Sequence, residues 1–280
     1  MKSKLKIGIV QMSMTRDYDE NVDNALKGVR KAAELGAEIV CLPELFAWRY
    51  FPTSRKSAEV PQKIPGHLSQ DLSKTARENG VALVGGSIYE KEGRNRYNTC
   101  LVFGRDGKLL SRYRKVHIPQ DDHYYEQDYF ASGRDYSVAE TPSGKVGTLI
   151  CFDQWYPEAA RVNKLMGADL LFYPTAIGWV RGIEQVEGDW KQAWEAVQVG
   201  HAIANSMIVC AVNRVGKEGS TTFWGDSFVS DQFGKVLFRA GPQKGTFVVE
   251  CNLNLGRTVE EGWRFMRNRK SSTYSKIAKG

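Results

Sequence analysis

Short apolar runs alternate with amphipathic ones along most of this chain, and that alternation constrains the fold more than any other feature. Residues 6–12 read as a strand. Residues 21–35 carry Val22, Ala25, Leu26, Val29, Ala32 and Ala33 at helical spacing, with Gly36 placed as a C-cap. A buried strand over 38–42 ends at Pro43-Glu44. A second helix over 69–79 is closed by Gly80, and a strand over 81–89 carries Gly85-Gly86. Runs at 97–103 and 108–113 flank Arg105-Asp106-Gly107, the signature of a hairpin. A polar loop covers 117–135. The strand 145–150 then leads through Cys151 to a helix over 157–166 with Pro157 in its first turn. Residues 169–173 form another buried strand, and Trp190, Trp194, Val197, His201 and Ala204 line one face of a longer helix. Strands at 207–212, 225–230, 235–239 and 246–250 close the series, with a turn at Asp231-Gln232-Phe233-Gly234. This is the pattern of one α/β domain over residues 1–280, with helices covering mostly apolar strands.

Composition excludes several classes of function. The five cysteines (Cys41, Cys100, Cys151, Cys210 and Cys251) include no Cys-x-x-Cys pair, and four lie in apolar runs. They fit reduced thiols of a cytoplasmic protein rather than a disulfide scaffold. The apolar run after Lys2, Lys4 and Lys6 is too short for a signal sequence, and no stretch approaches a membrane span. The net charge of +7 is concentrated beyond Gly256, where Arg257, Arg264, Arg267, Arg269, Lys270, Lys276 and Lys279 face only Glu260 and Glu261. No nucleic-acid-binding signature accompanies that tail, so residues 256–280 are expected to be solvated or to pack at an oligomer interface.

Three polar residues close strand-like runs: Glu44, Lys115 and Cys151. Strand ends are where sites assemble in open α/β sheets. A strand that stops at Cys151 before a proline-opened helix is expected to present the thiol at a helix N-terminus, which favours a thiolate. A glutamate can take the thiol proton and a protonated lysine can hold a developing oxyanion, so the trio suits acyl transfer. Each residue alone has a plainer reading, as core thiol, loop acid or solvated base. His117, Asp121, Asp122, His123 and Glu126 crowd one loop, but their spacing matches no zinc pattern, and a polar loop or a metal-dependent hydrolase both stay open. A papain-like Cys-His pair would have to draw on His67, His117, His123 or His201; His201 is expected to be a core residue. A non-enzymatic interaction protein with a basic tail is the remaining alternative.

The segments Leu42-Pro43-Glu44-Leu45-Phe46, Tyr113-Arg114-Lys115-Val116-His117-Ile118-Pro119 and Ile150-Cys151-Phe152-Asp153-Gln154-Trp155-Tyr156-Pro157-Glu158 together resemble the nitrilase superfamily of carbon–nitrogen hydrolases. Gly8-Ile9-Val10-Gln11-Met12, Gly85-Gly86-Ser87, Tyr97-Asn98 and Gly225-Asp226-Ser227 also fit, so the resemblance covers nearly the whole chain. It implies a four-layer αββα sandwich that assembles into homo-oligomers, dimers or larger. It also implies Glu44 as general base, Lys115 as oxyanion-stabilising residue and Cys151 as nucleophile. Glu126 takes the place of the family's second glutamate, and the backbone N–H of Phe152 completes the oxyanion site. No cofactor, metal, membrane or nucleic-acid partner is implied, only a small-molecule substrate.

The residues after Cys151, with Leu171-Phe172-Tyr173-Pro174-Thr175-Ala176-Ile177-Gly178, are similar to the N-carbamoylputrescine amidohydrolase branch. Such an enzyme attacks a ureido carbonyl and releases ammonia, carbon dioxide and putrescine. A cationic substrate needs a carboxylate in a partly dry pocket. Glu184 and Glu187 are candidates, whereas Asp189 is expected to cap the helix that follows. Trp48, Tyr50, Trp155 and Trp179 are candidates to line the aliphatic part or to hold the cation against a ring face. The chain departs from plant members of the branch at Tyr50-Phe51-Pro52, where they carry a cysteine-bearing Tyr-Phe-Cys element. N-carbamoyl-β-alanine and ω-amides of dicarboxylates therefore remain rivals, and their carboxylates would call on Arg49 or Arg181.

Overall fold

In the computed structural model, which describes residues 3–182 and 188–277, the first strands divide their side chains between two neighbours. β1 (Lys4–Gln11), β2 (Ile39–Cys41) and β3 (Ala82–Val84) pair in parallel. Ile7, Ile9, Ile39, Cys41, Ala82 and Val84 face one core, whereas Val10, Val40 and Leu83 face another. That is the two-residue period of a strand buried on both faces. The second group packs on α1 (Tyr18–Glu34) through Val22, Ala25, Val29 and Ala32, and on α2 (His67–Asn79) through Leu68, Leu72 and Ala76. Asp17 caps α1 by accepting the Glu20 N–H, and Gly80 ends α2 in the left-handed conformation.

β4 (Ile88–Glu92), β5 (Asn95–Phe103) and β6 (Leu109–Arg114) extend this sheet antiparallel. After the small hairpin β7 (Gln120–Asp121) and β8 (Tyr124–Tyr125), the second sheet begins with β9 (Val138–Thr141) and β10 (Gly144–Thr148). It continues through α3 (Pro157–Leu165) to β11 (Leu170–Thr175), which precedes the short β12 (Gly178–Val180). Beyond α4 (Trp190–Asn205) come β13 (Ile208–Asn213), the hairpin β14 (Val215–Glu218) and β15 (Thr221–Trp224), then β16 (Phe228–Ser230) and β17 (Val236–Arg239). β18 (Gly245–Asn252) returns to pair antiparallel with β1 from Lys4↔Asn252 to Gln11↔Gly245, and α5 (Asn254–Trp263) follows.

The first sheet runs β18-β1-β2-β3-β5-β4 with β6 on β5, and the second runs β17-β16-β13-β11-β10-β9. Their facing sides share one core, in which Ile7, Ile39 and Val84 meet side chains of β10, β11 and β13, and Ala159, Ala160, Trp194 and Ala202 of α3 and α4 join the same core. The layers are thus helices, sheet, sheet, helices: an αββα sandwich. No helix among the described residues is long and apolar enough to cross a membrane.

Several local expectations change. The run 81–89 is two strands, broken at Gly86, whose φ is +55°. A Cβ there would lie 2.4 Å from the Pro43 carbonyl oxygen, so only glycine lets this bend approach the turn that carries Glu44. The loop 117–135 contains the β7–β8 hairpin and a single 3-10 turn at Glu126–Asp128. On α4 the buried residues are Trp194, Gln198, His201, Ala202 and Asn205, a face rotated away from Val197 and Ala204. Two hydrogen bonds to Gln154 set that rotation: Trp194 Nε1–H donates to its Oε1 at 2.9 Å, and His201 Nε2 lies 2.8 Å from its carbonyl oxygen. The separate sheet β12-β15-β14 and helix α5 lacked a clear signal in the sequence.

Candidate active site

Glu44 sits on a tight turn beyond β2. Leu42 still donates its N–H to Val84, but Leu45 turns into the left-handed region at φ +47°, and its N–H is taken by Ser87 Oγ at 2.9 Å. The Glu44 carboxylate is fully buried. Oε1 accepts from Lys115 Nζ at 3.0 Å and from Asn98 Nδ2 at 2.7 Å, while Oε2 has no hydrogen-bond partner among the described residues.

Lys115 follows β6 directly, and its backbone is tied on both sides, N–H to Asn98 and carbonyl to Gly133. Its ammonium also donates to both oxygens of Glu126, at 2.8 and 2.7 Å. Glu126 Oε1 in addition accepts from the Tyr50 hydroxyl at 2.7 Å. Burial pulls the lysine down, but the Glu126 and Glu44 carboxylates overcome it and hold the ammonium above the ordinary lysine range. Burial and the Glu44 charge push Glu126 up to about 7, against the pull of Lys115. One cation thus serves two carboxylates, and one of the two keeps a proton more readily than an exposed glutamate.

Cys151 does not occupy the N-terminus of α3 as the sequence suggests. β10 ends at Thr148, and Cys151 opens a short 3-10 turn, Cys151–Trp155, that precedes the helix. Its φ is +43°, a strained value for a non-glycine residue. Asp153 holds that turn. Its Oδ2 accepts from Ile150 N–H at 2.8 Å and from the Tyr113 hydroxyl at 2.7 Å. Its Oδ1 accepts from His117 N–H at 3.0 Å and lies 2.7 Å from His117 Nδ1. Tyr113 and His117 flank Lys115 in sequence, so one buried aspartate fixes the cysteine turn against the lysine. Burial, with the Glu44 charge, pushes the Cys151 thiol well above its ordinary range despite Lys115. This direction is opposite to the one expected of a thiol at a helix N-terminus.

Cys151 opens onto a cavity of about 310 Å³ whose wall includes Asp121, Tyr124, Phe152, Gln154, Trp155 and Trp190. The other sequence candidates divide. Trp155 lines the cavity, and Tyr50 lies behind it, bonded to Glu126. Trp48 instead packs on Tyr18, ring centroids 4.7 Å apart, and lines a separate cleft with Arg49. Trp179 packs on Trp224 at 4.9 Å. Neither joins the described wall of the Cys151 cavity, because neighbouring aromatic rings claim both. Glu184 and Glu187 lie outside the described residues. Asp189 caps α4, accepting the Gln192 N–H at 2.9 Å. Of the crowded acidic and histidine loop, His117 goes to Asp153, His123 to Ser220 and Glu126 to Lys115. Among the described residues no such group is arranged to hold a metal ion. The sequence singled out Asn98 only as part of Tyr97-Asn98 and Asp121 only as one acid of the crowded loop, and gave Tyr124 no site role.

The carbon–nitrogen hydrolase profile matches residues 6–261. An N-carbamoylputrescine amidase of Solanum lycopersicum is 35% identical over 96% of this chain and 93% of its own length. An omega-amidase of Xenopus tropicalis is 33% identical over 98% of both chains. The crystal structure of a carbon–nitrogen hydrolase from Helicobacter pylori superposes with a TM-score of 0.88 at 31% identity, covering 98% of both chains. Fold, motif order and whole-length similarity agree, and the chain belongs to the carbon–nitrogen hydrolase family of the nitrilase superfamily.

Proposed function

We propose that this chain is a thiol amidohydrolase that cleaves the ureido C–N bond of N-carbamoylputrescine. The observation that carries the chemistry is the buried Glu44–Lys115–Glu126 cluster beside a cavity-wall cysteine. The unpartnered Oε2 of Glu44 is free to take the Cys151 proton as sulfur attacks the ureido carbonyl. Lys115 Nζ and the Phe152 N–H hold the oxyanion. Glu44 hands the proton to the departing nitrogen, and ammonia leaves. A water, deprotonated by Glu44, then attacks the S-carbamoyl (thiocarbamate) carbon; the C–S bond breaks, the Cys151 sulfur takes the proton back from Glu44, and the released carbamate breaks down to carbon dioxide and putrescine. Glu126 holds Lys115 in place through hydrogen bonds to both of its oxygens.

The cavity wall supports a cationic substrate. It includes the Asp121 carboxylate and, among the described residues, no lysine or arginine. Tyr124, Phe152, Trp155 and Trp190 offer apolar surface and ring faces to an aliphatic ammonium. The arginines that a carboxylate substrate would need lie elsewhere: Arg49 is 3.9 Å from Glu218 in the other cleft, and Arg181 is exposed beyond β12. A dicarboxylate ω-amide is the second reading, favoured by the similarity to the omega-amidase.

Ammonia release from N-carbamoylputrescine, N-carbamoyl-β-alanine and an ω-amide, with Cys151→Ala as control, separates these readings. The cationic substrate should be turned over best, and Asp121→Asn should raise its KM by about threefold to tenfold, the scale of a partly solvated charge pair. Preference for a carboxylate substrate would end the putrescine assignment. The same reading keeps the basic tail at an oligomer interface, supported by the exposed Trp263 within it and the exposed Phe233 that packs against that ring. A monomer by sedimentation would remove that part.

A further inference from the structure

We infer that Arg214 and Glu218 form a positioning pair that holds both carboxylates around Lys115, an inference that rests on the catalytic reading of Glu44 and Glu126. Arg214, just beyond β13, is completely buried. Its Nη2 donates to the carbonyl oxygens of Glu44 at 2.6 Å and Leu45 at 3.1 Å. Its Nη1 donates to the Trp48 carbonyl at 3.2 Å and to Glu218 Oε1 at 3.0 Å. The other oxygen of Glu218 accepts the Tyr50 N–H at 2.6 Å, and the Tyr50 hydroxyl donates to Glu126. Two paths therefore leave one ion pair. One ends on the main chain of Glu44 itself, and the other ends on Glu126 through a single tyrosine.

The cost of this arrangement argues that it does more than fill space. A buried arginine–glutamate pair is often no better for stability than apolar side chains of the same size. Here the guanidinium instead spans the carbonyls of a turn whose Leu45 is in the left-handed region, a conformation leucine does not choose unaided. The planar fork is what makes this possible, because a lysine presents a single point of charge and cannot serve all four acceptors. The rings of Tyr50 and Phe223 lie 5.9 and 5.3 Å from the guanidinium carbon, which leaves it little room to swing away.

The test uses Arg214→Lys, Glu218→Gln and the apolar double variant R214M/E218M, with kcat and KM measured on the preferred ureido substrate. Active sites are counted by iodoacetamide labelling of Cys151, and folding is followed by thermal melting. Displacing the base by a fraction of an ångström should lower kcat per labelled site about 100-fold in R214K while KM stays within about threefold. E218Q, which keeps one acceptor, should lose about tenfold in kcat. R214M/E218M should fold and remain about as slow as R214K. Where R214K does not fold, the other two decide. A folded variant of the pair whose kcat per labelled site matches wild type would overturn the inference. Glu44→Gln is run alongside: if it too matches wild type, the catalytic reading has failed, whereas an inactive E44Q beside wild-type pair variants means that the positioning role alone has failed.

Discussion

Cys151 and the four other cysteines look alike by burial and differ in the backbone that carries them and the charges around them. All five are buried thiols. Burial pushes Cys100 and Cys251 up to about 12, and Cys41, Cys210 and Cys151 well above their ordinary range. Cys41, Cys100, Cys210 and Cys251 stand within strands β2, β5, β13 and β18, packed among apolar neighbours. Cys151 stands on a strained turn at a cavity wall, and the charges that act on it are those of Glu44, Lys115 and Glu126. What sets Cys151 apart is its turn, its cavity and its charged neighbours, not a lowered pKa. We propose that Glu44, whose Oε2 has no partner among the described residues, takes the Cys151 proton as the sulfur attacks.

The largest expected effect is at the thiol itself. Cys151→Ala should lower kcat by about 10⁴-fold or more, and Cys210→Ala should leave kcat unchanged, as read by ammonia release. Next is Glu44→Gln, which removes the proton acceptor without changing shape and should cost about 10²- to 10⁴-fold in kcat. Lys115→Met should also abolish turnover, and it strands two buried carboxylates, so denaturant melts should show a loss of about 3–5 kcal/mol. By contrast, Cys210→Ala should cost only about 1–2 kcal/mol, the price of a small core void.

A further effect is on the pH dependence of stability. The folded-state value of Glu126, about 7, lies above the ordinary 4.5. Its retained proton therefore stabilises the fold fully below about pH 4.5, and that contribution is lost as pH rises towards 7. Glu126→Gln carries no such proton, so its melting temperature should rise relative to wild type between those two pH values. Parallel curves for the two proteins would remove the assignment of a proton-retaining Glu126.

Much of this architecture was legible in the chain. The helical periodicity of 21–35, the glycine stop at Gly80 and the apolar runs that became β1, β2, β11 and β13 are local signals, and the structure follows them. Glu44, Lys115 and Cys151 were legible because each ends an apolar run and lies in a recognisable segment. The rest depends on contacts far apart in sequence. Arg214 reaches 170 residues back to the Glu44 carbonyl, and Tyr50 reaches 76 residues forward to Glu126. No local pattern marks an arginine that will be buried or a tyrosine that will leave the cavity wall. Aromatic type alone placed Trp48 and Trp179 with the substrate, whereas packing against Tyr18 and Trp224 decided otherwise. Gly86 was visible as a glycine, but the close approach that requires it was not.

Cys151, deprotonated by Glu44 at the moment of attack, is proposed to form a covalent intermediate with a ureido substrate. Rapid-quench mass spectrometry of the enzyme during turnover of N-carbamoylputrescine tests it directly. The expected result is a transient adduct, with the mass of the substrate less ammonia, on the peptide containing Cys151, and none in Glu44→Gln. An adduct on any of the other four cysteines, or full turnover with no adduct on Cys151, would contradict it.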